Sequence, residues 1–166
     1  MISLTLLIDT REQLPLPFTE RHIRVHLDRA KKPTLFHIKC KERKLDVGDY
    51  AFEGYELLCP VETKRSPDEL YNNLLTDDFE RSQRAFSRLL CADHPILVCE
   101  FSQASLVGHE NGKTMDAISW LISSREPGMI VWFAGPRSAS KARNCTVDCV
   151  LRLMIPYVWR EMQHGN

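Results

Sequence analysis

Hydrophobic and polar positions alternate in one part of the chain and run together in others. Within 22–28, Ile23, Val25 and Leu27 alternate with polar residues, which is the pattern of a strand with one buried face. The run at 4–8 is almost wholly apolar, which is typical of a strand buried on both faces. Further strands are predicted at 35–40, 55–64, 95–101 and 129–133, and the last two are also buried runs.

After residue 65 the period changes to that of helices. Ser66 can cap a helix, Pro67 suits its first position, and Glu69 completes a capping box. Further helices are predicted at 78–91, at about 114–125 and from about 139. This order of elements predicts an α/β fold with a mixed central β-sheet flanked by helices on both faces.

The last predicted helix carries an apolar stripe and a proline. The stripe consists of Val147, Val150, Leu151, Met154 and Val158. At this spacing the five side chains share one face, which either covers the sheet or forms a dimer surface. Pro156 is expected to kink or stop the helix.

Composition narrows the class of protein. The 166 residues predict one domain, and 22 basic residues balance 22 acidic ones. Zero net charge argues against a dedicated nucleic-acid binder, although a local basic track remains compatible with it. Six cysteines without a Cys-x-x-Cys pair favour reduced, buried thiols over a disulfide framework or a zinc site.

The chain starts with "MISLTLLIDTR", which has no basic leader, and no apolar run approaches the ~20 residues of a membrane span. We therefore expect an intracellular protein, cytoplasmic or nuclear, that is not secreted and has no membrane partner.

Three acids and a lysine are predicted to meet at one edge of the sheet. Glu62 and Lys64 are two apart in a strand and so project from the same face. A turn near Gly54 would bring Asp49 beside Glu62, and the first strand delivers Asp9 at its carboxyl end. Clustered carboxylates repel unless a cation lies among them, and Mg²⁺ prefers such oxygen ligands. With a lysine to orient water or neutralise a phosphate, these groups suit metal-dependent phosphodiester hydrolysis.

The segments "IDTRE", "VGDY" and "VETKRSPD" resemble the XPF family of structure-specific endonucleases, within the PD-(D/E)xK nuclease superfamily. The family pattern is a G-D pair followed after a gap by E-R-K-x-x-x-D. It is matched by Gly48, Asp49, Glu62, Lys64 and Asp68. "LYNNLL" and "RSQRAFSRLLCADHPILVCEF" resemble later family segments, so that the resemblance covers residues 1 to about 155. It implies a restriction-endonuclease-like nuclease fold and a single nuclease domain over 1–166.

The resemblance also implies the site. The metal, Mg²⁺ or Mn²⁺, would be held by Asp49, Glu62 and the carbonyl of Thr63, with support from Asp9, directly or through water. Lys64 would position the nucleophilic water or stabilise the transition state.

Three further residues complete the implied catalytic set. Arg11 and Glu12 belong to the first-strand motif, and Asp68 would orient Lys64 or the helix start. The chain departs from the family at Thr63, where arginine is usual, and at 78–79, where "DF" replaces a frequent glycine-arginine pair.

Each residue alone also has an ordinary explanation. Asp49 suits a turn, Glu62 with Lys64 suits an exposed ion pair, and Asp68 suits the first turn of a helix. Asp9 could pair with Arg11 or Arg43. Basic stretches at 29–32, 39–44 and 137–143 are either tracks for a DNA backbone or solvated loops.

The sequence thus predicts a metal-dependent DNA endonuclease that cuts branched DNA, such as flaps, forks or junctions, in repair or recombination. The alternatives are a catalytically silent XPF-like scaffold that binds DNA or a partner, and a PD-(D/E)xK nuclease with another DNA substrate. By resemblance we expect a homodimer or heterodimer formed through the nuclease domain. No helix-hairpin-helix module is detected within 1–166, which leaves either a piece of a longer protein or a stand-alone nuclease.

Overall fold

Seven strands form one mixed sheet with the order β2-β3-β1-β4-β5-β6-β7. The computed structural model describes residues 1–27, 32–75, 79–123, 128–135 and 140–164. The strands are β1 (Ile2–Ile8), β2 (Arg21–Val25), β3 (Thr34–Glu42), β4 (Tyr50–Phe52), β5 (Val61–Lys64), β6 (Ile96–Cys99) and β7 (Ile130–Phe133). The helices are α1 (Pro67–Leu75), α2 (Phe79–Leu90), α3 (Lys113–Ser123) and α4 (Ser140–His164), with short 3₁₀ segments at Gln103–Leu106 and His109–Gly112.

Strand directions decide which ends meet. β1 pairs with β3 in parallel and with β4 in antiparallel fashion, and β4 is antiparallel to β5. Because β1 and β5 both oppose β4, they point the same way, and their carboxyl ends lie at the same edge of the sheet. β5, β6 and β7 continue in parallel beyond them.

One face of the sheet is covered by α4. The five residues of its apolar stripe are completely buried and pack against β1, β3 and β6 through side chains such as Leu6, Phe36 and Val98. The interpretation of this stripe as a dimer surface is therefore wrong, because it forms the core between helix and sheet.

The other face is covered by α1, α2 and α3 over the β5–β7 half. Leu70, Phe86 and Leu121 pack there against Leu97 and Cys99 of β6. Since alternate residues of β6 face the two helical layers, all four of its residues are buried. The predicted α/β architecture, with helices on both faces of a mixed sheet, is confirmed.

Two elements differ from their sequence-based predictions. Residues 55–60 do not extend the strand before Val61, because the chain turns at Gly54 and again at 56–58, where Leu58 N donates to Tyr55 O. Pro156 does not stop α4, which continues to His164. Met154, Ile155 and Val158 are fully buried around it, and this packing outweighs the loss of one backbone hydrogen bond.

Exposure also differs from expectation at the edge of the sheet and among the cysteines. The sequence predicts β7 as a buried strand, but among the described strands it is the edge strand and pairs only with β6, and its Trp132 is exposed. All six cysteines are free thiols, as predicted, but Cys91 and Cys145 are exposed rather than buried. In the part of the chain that the structure describes, no helix has the length and apolar character needed to cross a membrane.

Gly48 permits the tight approach of the segment before β4 to β5, and Gly48→Ala should disrupt it. Gly48 has φ of +70°, and an added Cβ would lie 2.7 Å from the Val61 carbonyl oxygen. We expect a loss of about 2–4 kcal/mol in the free energy of unfolding, measured by urea denaturation. Gly54→Ala is the matched control, because Gly54 also has positive φ but open space around its Cβ, and should cost about 1 kcal/mol. Equal losses in the two variants would show that the close approach is unimportant.

Candidate active site

A cleft of ≈ 260 Å³ opens where the carboxyl ends of β1 and β5 meet the segment before β4. Its charged lining residues are Asp9, Arg11, Asp46, Asp49, Glu62 and Arg88. Backbone hydrogen bonds fix the walls relative to each other, with Asp9 N donating to Asp49 O at 2.8 Å and Asp49 N donating to Val61 O at 2.7 Å. The three acids predicted to meet, Asp9, Asp49 and Glu62, therefore line one cleft.

Asp49 is held rigidly by Thr63. Its Oδ2 accepts hydrogen bonds from the Thr63 backbone N at 2.7 Å and from Thr63 Oγ1 at 2.6 Å. Burial, followed by the nearby charge of Glu62, raises the pKa of the Asp49 carboxyl to about 7. A cation in the cleft would oppose both causes, because it stabilises the ionised carboxylate.

Glu62 and Lys64 project from the same side of β5, as the strand period predicted. Lys64 Nζ donates to Glu62 Oε1 at 2.8 Å and lies 3.8 Å from Glu69 Oε1. Burial alone would lower the pKa of Lys64, but the facing carboxylates of Glu62 and Glu69 outweigh it and raise that pKa. Lys64 is therefore a permanent cation, suited to stabilising negative charge and unsuited to accepting a proton.

Asp9 is already paired inside the protein. Arg11 donates to it through Nε at 3.1 and 3.0 Å and through Nη2 at 2.5 Å, and Arg11 Nη2 also donates to Leu45 O. Burial raises the pKa of Asp9, but the Arg11 hydrogen bonds and charge lower it overall. Asp9 thus orients Arg11 and the cleft wall, and its carboxylate has no need of a metal for neutralisation.

Glu12 joins the first-strand motif to the end of β5. Its Oε1 accepts a hydrogen bond from Arg65 NH2, so that Arg65 ties this motif to the segment after Lys64. The predicted capping box is half formed: Ser66 Oγ accepts from Glu69 N at 3.1 Å, while the Glu69 carboxylate accepts from Arg65 N at 2.8 Å. Sequence reasoning used Glu69 only as a helix-start signal and missed its place beside Lys64.

Asp68 is not brought to the cleft. Its side chain is exposed and its Oδ1 lies 3.0 Å from His109 Nε2, while His109 Nδ1 is 2.6 Å from Thr114 Oγ1. The expectation that Asp68 orients Lys64 does not match this geometry. The first turn of α1 places residue 69, rather than residue 68, on the side that faces Lys64.

The loop after Asp9 is anchored by residues that sequence reasoning did not assign to the site. Arg143 Nε donates to the buried Glu100 carboxylate at 2.8 Å, and its NH2 donates to Pro15 O at 2.9 Å. Tyr50 Oη accepts a hydrogen bond from Leu16 N at 2.7 Å. Only the position of Glu100 at the end of an apolar strand marked it in the sequence.

The structure describes only part of the basic stretches and of the segment 78–79, where the chain departs from the family pattern. Residues 29–31, 78 and 137–139 lie outside the described residues. In 39–44, Lys41 pairs with Glu53 at 2.9 Å and Arg43 with Glu56 at 3.2 Å, all on the surface.

The donor set fits a hard divalent cation through two carboxylates and a carbonyl. Within the described residues, no group of three or more histidine, cysteine, aspartate or glutamate side chains is placed to hold a metal ion. Asp49 and Glu62 nevertheless line the same cleft, and carbonyls along a strand alternate in direction. Val61 O accepts from Asp49 N, whereas Lys64 O accepts from Glu100 N, so that Thr63 O faces the Asp49 side. Two carboxylates, a carbonyl and water are ligands that Mg²⁺ accepts.

Comparison with known proteins supports the fold. No protein-family model and no curated protein matches the sequence. The solved structure of XPF from Aeropyrum pernix matches with a TM-score of 0.56 and 16% identity, over 90% of this chain and 60% of that chain. The structure of XPF from Aeropyrum pernix in complex with DNA matches with a TM-score of 0.57 and 17% identity, over 90% and 64%. The chain therefore has the fold of XPF, as its sequence motifs predicted, and spans less than two thirds of the length of those chains.

The raised pKa of Asp49 predicts that Asp49→Asn stabilises the metal-free protein at high pH. Below the unfolded pKa of about 4 the folded and unfolded carboxyls are both protonated, so that the two proteins should be nearly equally stable. As pH rises to about 7, the unfolded wild-type chain ionises first and wild-type stability falls. We expect Asp49→Asn to be more stable by roughly 2–4 kcal/mol at pH 8 in EDTA, measured by urea denaturation. A difference independent of pH would contradict this.

Proposed function

We propose that the chain is a Mg²⁺- or Mn²⁺-dependent DNA endonuclease that hydrolyses phosphodiester bonds. The observation that supports it most is that Asp49 and Glu62 line one cleft and Lys64 donates to Glu62 beside it, on the fold of XPF. One of the similar structures is a complex with DNA. DNA is accordingly the proposed partner and the phosphodiester the proposed reacting group.

Each residue of the cleft has a defined task in this proposal. Asp49, Glu62 and the carbonyl of Thr63 would hold the metal, which when bound supplies Lewis acidity and an activated water. Thr63 fixes the direction of the Asp49 carboxylate through its two hydrogen bonds. Lys64 stabilises negative charge that develops on the phosphoryl oxygens or on the attacking water, because its neighbours keep it charged.

Arg11 and Glu12 have positioning roles in this proposal. Asp9 and the Leu45 carbonyl hold the Arg11 guanidinium at the rim of the cleft. Glu12 holds Arg65, whose backbone N donates to Glu69, the second acid near Lys64. These contacts set the electrostatic environment of Lys64 before substrate binds.

Branched DNA is the proposed substrate class, by similarity to the XPF motifs, with a role in DNA repair or recombination inside the cell. A dimer through this domain is proposed on the same grounds, although the apolar stripe of α4 cannot supply its surface because that stripe is in the core. A silent scaffold that binds DNA without cutting is the second candidate. It is favoured by one observation: Asp9 and Glu62 already have cationic partners within the protein.

Cleavage of a labelled replication fork in Mg²⁺, Mn²⁺ or EDTA separates the two candidates. We expect cutting only with the divalent ions, and a loss of roughly 100-fold or more in Asp49→Asn, Glu62→Gln and Lys64→Ala. Asp68→Asn is the matched control, because Asp68 belongs to the same motif but points to His109, and should cut normally. DNA binding by the wild type without any cutting would establish the scaffold. Linear duplex in parallel lanes tests the branch requirement.

Melting temperatures test metal binding separately from cleavage. At pH 8, Mg²⁺ or Mn²⁺ should raise the melting temperature of the wild type, because ligand binding to the folded state stabilises it. Asp49→Asn should show a much smaller rise at the same metal concentration, and Asp68→Asn the wild-type rise. An equal shift in all three proteins would place the ion elsewhere.

A further inference from the structure

Arg88 lies in the cleft but has no partner there. It lines the cleft with Asp49 and Glu62, and its side chain is exposed. Within the described part of the chain, its side chain forms no hydrogen bond or ion pair, and its backbone carbonyl accepts one from Cys91 N at 3.1 Å. This arrangement is unusual for an arginine beside carboxylates, because such pairs form readily when the two groups can reach each other.

Three other described cations in or next to the cleft are each paired with an acid. Arg11 is paired with Asp9 at 2.5 Å, Lys64 with Glu62 at 2.8 Å, and Arg65 with Glu12. Among the residues that the structure describes, four carboxylates line the cleft, from Asp9, Asp46, Asp49 and Glu62, against two guanidinium groups, those of Arg11 and Arg88. A phosphate that enters therefore meets one lining cation that no protein acid already holds.

Helix α2 keeps Arg88 in place. Phe86 and Leu89 are buried in the layer under the helix, and the Phe86 ring lies 5.6 Å from Lys64 Nζ. Ala85, about one turn before Arg88, lies on the same side of the helix and also lines the cleft. The helix thus supplies Arg88 to the lining of the cleft.

We propose that Arg88 binds a phosphate of the DNA strand that occupies the cleft, adjacent to the phosphate attacked. This inference rests on the function proposed above. A guanidinium donates two parallel hydrogen bonds to phosphate oxygens, which an isolated ammonium cannot do, so that the contact fixes the strand as well as attracting it. Arg88 is then a substrate-binding residue that sets the register of the strand, while Lys64 acts at the reacting phosphate.

Single-turnover cleavage of a labelled fork in Mg²⁺, over a range of enzyme concentrations, tests the contact. Arg88→Ala should raise the half-saturating enzyme concentration about tenfold and change the maximal rate by less than threefold. The dependence of binding on salt should weaken by about one phosphate contact. Arg88→Lys should recover part of the affinity. Arg160→Ala removes the same charge from α4 on the opposite face, beside Tyr157, and should behave as wild type.

A set of forks with one neutral methylphosphonate linkage each identifies the phosphate. The wild type, Arg88→Lys and Arg160→Ala should lose affinity at one linkage next to the cleavage site, whereas Arg88→Ala should be indifferent to neutralisation there. Melting temperatures of all variants are compared, because Arg88 also lies in the last turn of α2 and a loss of helix stability alone would not depend on linkage position.

The outcomes separate this inference from the proposed function. If the wild type cuts and Arg88→Ala responds to every linkage as the wild type does, the Arg88 contact is disproved and the nuclease stands. If the wild type neither binds nor cuts any fork, the proposed nuclease fails and the contact fails with it. Loss of sensitivity at a single linkage in Arg88→Ala alone establishes the contact.

Discussion

The candidate site depends on the close approach of the segment before β4 to β5. Gly48 has no side chain, so that its backbone lies against the Val61 carbonyl, and Asp49 N donates to that same oxygen. One residue after Val61, this approach places Glu62 beside the cleft, and two residues after it, Thr63 binds the Asp49 carboxylate through two hydrogen bonds. A bulkier residue at 48 would separate the two walls that carry the acids.

Basic side chains of the protein itself neutralise most of the acids in and beside the cleft. Arg11 neutralises Asp9, Lys64 neutralises Glu62, and Arg65 neutralises Glu12. Asp49 has hydrogen-bond donors but no ion pair among the described residues, and burial with the charge of Glu62 raises its pKa to about 7. Asp46 also lines the cleft but is exposed to solvent, so that the electrostatic demand of the buried part falls on Asp49, where an incoming divalent cation has the greatest effect.

Threonine at position 63, where the family pattern has arginine, alters the site less than the difference between the two side chains suggests. Its hydroxyl donates to Asp49, and its backbone carbonyl retains the direction that the strand dictates. Arg65, the next arginine along the chain, reaches Glu12 and so connects the end of β5 to the first-strand motif. A guanidinium is thus still present near the strand end, displaced by two positions.

The sequence by itself determined the strand and helix periods, the motif residues Asp49, Glu62 and Lys64, and with them the fold, because periodicity and local spacing are properties of the chain. Only the tertiary structure decided which neighbours those residues meet. Glu69 rather than Asp68 faces Lys64, since the rotation of α1 about its axis is set by packing of Leu70 and Leu74. The stripe of α4 became core, and Pro156 was tolerated, because burial against a sheet assembled from distant segments outweighs local preference. Arg88 entered the cleft for the same reason: the contacts that place it join α2 to strands far away in sequence.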